Sequence, residues 1–279
     1  MKSAIKLLVA IDLIFIVLRS LSATFGGIVG DLFYLLSFAL PFLLGWFGAK
    51  RMRYTREEER GLAEADYPAF SLSRDGVRCF LPLAMPTVAV VYLFALLTSL
   101  LLNAIGASAP TVADRPLWQM LLIHALAPAI LEEMLFRYLP MKLLYPYSPR
   151  ATVILSSLFF SLIHLDLYKM PYAFIAGVVL MLADLMTGSV LPSVIIHFVN
   201  NLTSVLLMKY GMDKTFLAIY YSVYGVLLAV SLVFVILRFR EYRKRAGEAL
   251  SGKIEYEPSA LMLTVLCASV AAMNLLLQL

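Results

Sequence analysis

Apolar positions along this chain gather into long continuous runs separated by short polar connections. Each run is about 20 residues long, which is the length that an α-helix needs to cross a lipid bilayer. None shows the ten-residue alternation of a membrane β-barrel strand, so the runs predict helices. We predict an all-α, polytopic transmembrane helical bundle of about eight or nine spans. The predicted spans are 4–24, 28–48, 79–103, 117–141, 150–166, 171–187, 189–210, 215–237 and 258–279.

Three of these runs differ from an ordinary span. The runs 150–166 and 171–187 are short, so we expect them to be tilted, kinked or buried within the bundle. The first run follows a basic chain end, as a signal peptide would. Because Asp12 interrupts it and no A-x-A-like cleavage site follows, we expect a retained first helix.

Composition supports a membrane protein. Hydrophobic residues make up 62% of the chain and charged residues only 15%, with a mean hydropathy of +0.87, whereas a soluble domain carries about 25% charged residues. The net charge of +5 does not indicate a nucleic-acid partner, because no basic stretch is interleaved with exposed aromatic residues. Cys79 and Cys267 are too far apart to form a metal-binding motif or a disulfide framework.

The positions of lysine and arginine predict the orientation. If the N-terminus is cytoplasmic, most of the 23 basic residues lie on the cytoplasmic side, as the positive-inside rule requires. We therefore predict an integral membrane protein, in the plasma membrane, with a cytoplasmic N-terminus. The polar segment 50–76 would then be its longest cytoplasmic connection, either a solvated loop or an amphipathic surface helix.

Several polar residues lie inside the central predicted spans. A charge at the centre of a spanning helix costs about 2.5–3.5 kcal/mol, and such residues usually mark a functional site. They cluster between residues 132 and 201, at Glu132, Glu133, Arg137, His164, His197 and Asn201.

Helical spacing gives these residues a geometry. Glu133 and Arg137 are four residues apart, so their side chains can form an ion pair along one helical face. Glu132 is rotated by about 100° from Glu133, lacks that partner and is free to face a cavity. His197 and Asn201 share a face of their own helix in the same way. A carboxylate, imidazoles and an amide that converge between the central helices could activate water and stabilise an oxyanion.

Three motifs carry a resemblance to a known family. E-E-x-x-x-R at 132–137, F-x-x-x-H at 160–164 and H-x-x-x-N at 197–201 occur in that order on successive predicted helices. They resemble the motifs of the CAAX-protease and bacteriocin-processing (CPBP) family, the Rce1-like or Abi intramembrane endopeptidases. The resemblance covers roughly residues 115–210, which would form a catalytic core. Residues 1–114 would provide N-terminal helices and the cytoplasmic loop, and residues 211–279 would provide C-terminal helices.

The resemblance implies a role for each residue of the site. Glu132, together with His164, would activate the water that attacks a peptide bond. His197 and Asn201 would stabilise the tetrahedral oxyanion. Glu133 and Arg137 would hold the site together in a supporting role, and Phe160, one turn before His164, would pack beside it.

The resemblance leaves the use of a metal open, since both glutamate-type and metal-dependent mechanisms fit such a site. One glutamate and two histidines could bind zinc and leave one position for water. The H-E-x-x-H pattern of many zinc peptidases is absent, so we favour a metal-free site without a cofactor. A zinc ion would need Glu132, His164 and His197.

Two rival functions also fit buried carboxylates and histidines. A proton-coupled membrane transporter uses such residues as relays, and a non-catalytic bacteriocin-immunity membrane protein would not need them for chemistry. The endopeptidase hypothesis predicts a peptide or protein substrate at the membrane, the lipid bilayer as surroundings and no nucleic acid. Two further ionisable residues within the predicted spans, His124 and Asp184, match no motif, and Asp184 has no obvious local partner.

Overall fold

The computed structural model describes residues 2–25, 27–60, 74–104, 115–164, 169–211 and 213–251. This part of the chain folds into nine helices and contains no strand, which confirms the predicted all-α polytopic bundle. The helices are α1 (Lys2–Thr24), α2 (Gly27–Arg60), α3 (Arg74–Ala104), α4 (Leu117–Leu143), α5 (Pro149–Leu162), α6 (Met170–Thr187), α7 (Leu191–Tyr210), α8 (Lys214–Leu237) and α9 (Phe239–Leu250).

Six of the described helices contain a stretch long and apolar enough to cross a membrane. Helices α1 and α5, which correspond to the predicted spans 4–24 and 150–166, are not among these six. The predicted span 258–279 lies outside the described residues. The six stretches are Gly27–Arg51, Gly76–Leu97, Leu117–Leu143, Met170–Thr187, Leu191–Tyr210 and Lys214–Leu237.

Two helical segments extend beyond the predicted spans. Helix α2 continues to Arg60, well beyond the predicted end of its span at residue 48. Helix α9 forms in the basic connection after α8, where the sequence analysis placed no helix. Its Tyr242 and Ala249 are buried, and the Tyr145 hydroxyl donates a hydrogen bond to the Ala249 carbonyl over 3.4 Å. The short α9 therefore packs against the bundle instead of crossing the membrane.

A chain of aromatic rings connects the first helices to the centre of the bundle. Phe15 of α1 lies 5.0 Å from Phe38 of α2 and 6.0 Å from Phe136 of α4, measured between ring centroids. The ring of Phe136 in turn lies 6.1 Å from that of Phe160 on α5. All four side chains are buried. Helices α1 and α2 thus help to fix the position of α4, which carries the predicted glutamates.

Helix α4 is not a regular α-helix. Its segments Leu121–Leu126 and Met134–Tyr138 are π-helical. Pro128 and Pro140 each follow one of them, and because proline has no backbone N–H it disrupts the regular hydrogen-bond ladder. The Ser156 hydroxyl of α5 donates to the Phe136 carbonyl, which would accept from residue 140 in a regular helix. A neighbouring hydroxyl thus satisfies a backbone group that lies inside a membrane-spanning helix.

Helices α5 and α6 pack closely together at Gly177. A Cβ atom placed there would lie 3.0 Å from both the Cα and the Cβ of Ser157 on α5. Small residues allow helices in membranes to pack this tightly. The contact holds α5 in place one helical turn before Phe160.

Gly177→Ala is expected to lower the free energy of unfolding by about 1–3 kcal/mol, the usual cost of overpacking. Rotation of a side chain cannot relieve the clash, because one of the contacted atoms belongs to the backbone. Thermal unfolding in detergent measures the effect. Gly225→Ala on α8 is the matched control, since a Cβ there meets nothing within 4 Å. Equal unfolding temperatures for the two variants would contradict the close approach.

Candidate active site

The two glutamates of α4 lie inside the bundle, as their position in an apolar span predicts. Glu133 and Arg137 are fully buried, and Glu132 is 8% exposed. His197, on the facing helix α7, is 7% exposed. Burial of so many ionisable groups is expensive unless they contact one another, so their mutual contacts define the site.

His197 lies between the two glutamates. Its Nδ1 is 2.6 Å from Oε1 of Glu133, a hydrogen bond in which the carboxylate accepts. Its Nε2 is 3.9 Å from Oε2 of Glu132, too far for a hydrogen bond. Since the carboxylate holds the proton on Nδ1, the ring presents Nε2 to Glu132. The sequence analysis paired Glu133 only with Arg137, so its contact with His197 is an addition.

The ion pair expected from the spacing of Glu133 and Arg137 is present. Nε of Arg137 lies 3.2 Å from Oε2 of Glu133. The geometry is that of an ionic contact, because the guanidinium has no hydrogen-bond partner among the described residues. The guanidinium also lies over the ring of Phe160, with Cζ 4.0 Å from the ring centroid. Cation–π attraction therefore shares the stabilisation of this buried charge.

Phe160 contacts both histidines as well as Arg137. Its ring centroid is 5.1 Å from that of His164 and 5.6 Å from that of His197, and both pairs are close to perpendicular. The edge-to-face arrangement is a favoured one for aromatic rings. The predicted role of Phe160, packing beside His164, understates its position, because its ring contacts three polar side chains of the site.

His164 lies just beyond the end of α5, and its orientation is fixed by the backbone. Nδ1 donates to the Phe160 carbonyl over 2.8 Å. A carbonyl can only accept, so the proton is on Nδ1 and a neutral His164 carries its lone pair on Nε2. Within the described part of the chain the ion-pair contact of Glu132 is with His197, and none joins Glu132 to His164. The structure does not bring these two predicted partners into direct contact.

Asn201 lies one turn after His197 on α7 and is partly buried. Its Oδ1 accepts a hydrogen bond from Nδ2 of Asn200 over 3.4 Å. Among the described residues, no hydrogen bond engages the amide N–H groups of Asn201, so they remain available as donors. Asn200, which the motif reading passed over, has a buried Oδ1 without a hydrogen-bond partner in the described residues.

The residues of the zinc alternative do not form a ready-made metal site. No group of three histidine, cysteine, aspartate or glutamate side chains within the described residues is arranged to hold a metal ion. Of the set Glu132, His164 and His197, only the contact between Glu132 and His197 is short. The Nδ1 atoms of both histidines are engaged, so only their Nε2 atoms could serve as ligands.

Two residues of the first helices also lie near the site. The guanidinium of Arg19 on α1 lies over the ring of Tyr34 on α2, with Cζ 4.6 Å from the centroid. The charge of Arg19 lies close enough to act on both Glu132 and His164. The sequence analysis gave Arg19 no role in the site, although it lies within the predicted span 4–24. Its position at the end of a long apolar run was the signal that could have marked it.

Comparison with known proteins gives one match. Residues 114–203 match the model of a family described as type II CAAX prenyl endopeptidase Rce1-like. The matched segment contains all three motifs at 132–137, 160–164 and 197–201. No curated protein and no solved structure shows significant similarity to the chain.

Proposed function

We propose that the site described above hydrolyses peptide bonds with a water molecule that Glu132 activates. The match of residues 114–203 to the Rce1-like family of type II CAAX prenyl endopeptidases supports this proposal. The single observation that carries the proposal is the position of the Glu132 carboxylate. It is buried between helices, it faces His197, and its Oε2 has no hydrogen-bond partner in the described part of the chain. A carboxylate placed in this way can accept a proton from water.

The contacts support a division of labour. Glu132 takes a proton from the water while the water oxygen bonds to the carbonyl carbon of the peptide. Glu132 then delivers this proton to the amide nitrogen, the C–N bond breaks, and the amine leaves. The lone pair of His164 Nε2 offers the same water a second acceptor. His197 is held through Nδ1 by Glu133, and in its protonated form, which the two neighbouring carboxylates favour, it donates to the oxyanion through Nε2. The amide of Asn201 is a second donor to the oxyanion.

The remaining contacts support the site without touching the reacting atoms. The ion pair between Glu133 and Arg137 keeps the carboxylate that orients His197 in place. The ring of Phe160 separates Arg137 from the two imidazoles. The proposed surroundings are the lipid bilayer of the plasma membrane, with a cytoplasmic N-terminus and a peptide or protein substrate. Nucleic acid has no part in this proposal.

A comparison of cleavage and transport tests the proposal. Purified protein in detergent is incubated with a peptide library, and mass spectrometry identifies the products. The same preparation in proteoliposomes is assayed for proton-coupled substrate flux. We expect discrete cleavage products and no flux. Flux without cleavage would favour the transporter, and protection against a peptide toxin without cleavage would favour the immunity protein.

Chelators are expected to leave peptide cleavage unchanged, because the proposed chemistry uses Glu132 and the histidines without a metal ion. Activity is measured after exhaustive dialysis against EDTA and again with 1,10-phenanthroline, alongside metal analysis of the active protein. A known zinc peptidase treated in parallel shows that the chelators act. Loss of activity that added zinc restores would contradict the metal-free mechanism and assign Glu132 and the histidines to the metal.

A further inference from the structure

Asp184 is a buried acid that the proposed chemistry does not use. It lies in the last turn of α6 and is fully buried, as is Ser193 at the start of α7. Oδ1 of Asp184 accepts a hydrogen bond from the Ser193 backbone N–H over 3.0 Å. Its Oδ2 has no hydrogen-bond partner among the residues that the structure describes. The carboxylate lies close enough to Glu133 and Arg137 for the charges to interact.

The Ser193 N–H belongs to the first turn of α7, where backbone N–H groups have no partner within their own helix. A side chain at the N-cap position usually satisfies one of them. The N-cap residue of α7 is Val190, which cannot do so, and Pro192 has no N–H. The carboxylate of Asp184 takes the place of the missing cap from the end of the preceding helix.

The backbone of Asp184 closes the same turn. Its carbonyl accepts from the N–H groups of Gly188 and Ser189, over 2.8 and 3.3 Å. Gly188 adopts a left-handed conformation with a φ of 70°, which ends α6. One residue thus binds both the end of α6 and the beginning of α7. The turn between these helices has little freedom to rotate or slide while both contacts hold.

Ser193 precedes His197 by one helical turn, so the rotation of α7 at Ser193 sets the direction of the imidazole. The hydrogen bond between His197 and Glu133 is only 2.6 Å long and depends on that direction. The Ser193 hydroxyl donates to the Val190 carbonyl over 2.8 Å, which holds the first turn of α7 together. A shift of α7 would therefore change the distances from His197 to both glutamates.

We propose that Asp184 is a positioning residue that, by capping α7 from α6, places His197 for hydrolysis. This inference rests on the proposed function. Asp184 does not touch the substrate, and its effect passes through Ser193 and α7. The proposal explains why a carboxylate lies fully buried in a membrane helix at a position that no motif covers.

The test compares three variants in peptide cleavage. Asp184→Leu removes the acceptor, whereas Asp184→Asn keeps an oxygen that can accept from the Ser193 N–H. Thr187→Val is the matched control, because it removes a hydroxyl that bonds only to carbonyls of the same turn. A misplacement of about 1 Å costs up to 10²-fold in rate. We therefore expect kcat of Asp184→Leu to fall by about 10- to 100-fold with little change in KM, while Asp184→Asn stays within a few-fold of the wild type.

A second measurement does not depend on cleavage. The chain has only 3 histidines, so nitrogen-15 labelling of histidine resolves their ring signals by NMR, and His197→Gln assigns one of them. We expect the hydrogen-bonded Nδ1 proton of His197 in the wild type, in Asp184→Asn and in Thr187→Val. It should be lost in Asp184→Leu. Should Asp184→Leu fail to fold, Asp184→Ala takes its place in both measurements.

The outcomes separate the two proposals. A wild-type protein that cleaves nothing, with the His197 signal lost in Asp184→Leu, would refute the endopeptidase and support the positioning role. An unchanged His197 signal in folded Asp184→Leu would overturn the positioning role, whatever the activity. Equal losses of kcat in Asp184→Leu and Asp184→Asn would overturn it too, since the conservative variant must rescue.

Discussion

Glu132→Gln is expected to abolish peptide hydrolysis while the protein stays folded. General acid–base catalysis contributes about 10²- to 10⁴-fold to a rate, and an amide at this position cannot accept the proton of the attacking water. The substitution preserves the size of the side chain, and Oε2 of Glu132 has no hydrogen bond in the described residues that would be lost. The change should therefore lower kcat without unfolding the protein.

Initial rates of peptide cleavage for wild type and variant, at equal amounts of monodisperse protein, measure this effect. Glu248→Gln is a suitable control, because Glu248 is an exposed glutamate on α9 whose contact is with Lys244. His164→Ala provides a second comparison. If His164→Ala were inactive and Glu132→Gln retained full activity, the base would be His164 and the assignment of Glu132 would be wrong.

Among the substitutions proposed to affect stability, Arg137→Leu is expected to lower the free energy of unfolding most. It removes the guanidinium and leaves the Glu133 carboxylate fully buried without its ionic partner. Breaking a buried ion pair in this way costs about 3–5 kcal/mol. The loss also removes the cation–π contact with Phe160, which lies between α4 and α7. Denaturant or thermal unfolding in detergent measures the difference from wild type.

Arg245→Leu on α9 offers a matched control for this loss. Arg245 also pairs with a glutamate four residues away, Glu241, over 2.8 Å, but the pair is partly exposed. Exposed pairs contribute only about 0–1 kcal/mol. Similar losses for Arg137→Leu and Arg245→Leu would show that burial of the α4 pair has no energetic consequence.

The double variant Glu133→Gln with Arg137→Leu separates stability from activity. Because it removes both members of the buried ion pair, it should recover part of the stability that Arg137→Leu loses. It should not recover cleavage, since a glutamine at position 133 holds the His197 ring less firmly than a carboxylate does. If the double variant recovered both stability and peptide cleavage, Glu133 would not be needed to hold His197.

The sequence predicted those features that depend on local spacing. The run of apolar residues in α4 and the four-residue separation of Glu133 and Arg137 each determine a structure within one helix, and both are present. The contact between His197 and Glu133 joins residues 64 positions apart. It depends on how α4 and α7 pack, and no local pattern encodes that packing.

Ideal helical spacing is also a poor guide to side-chain directions where α4 departs from a regular α-helix. The π-helical segment Met134–Tyr138 begins immediately after Glu133, so an ideal helical wheel drawn through it misplaces the side chains that follow. The sequence could not predict the partner of Asp184, because Ser193 donates through its backbone N–H, which any residue except proline would offer. Residue identity could not reveal that contact.

The hydrogen bond from the Ser156 hydroxyl to the Phe136 carbonyl makes the residues at positions 140 and 156 dependent on each other. Proline at position 140 has no N–H to donate to the Phe136 carbonyl, and the Ser156 hydroxyl on α5 donates to that carbonyl instead. Loss of the hydroxyl alone strands a carbonyl in an apolar interior, whereas loss of the proline alone restores the helix's own donor and makes the hydroxyl redundant. Natural variation should therefore reach the pair by a fixed route, in which the proline is replaced before the serine.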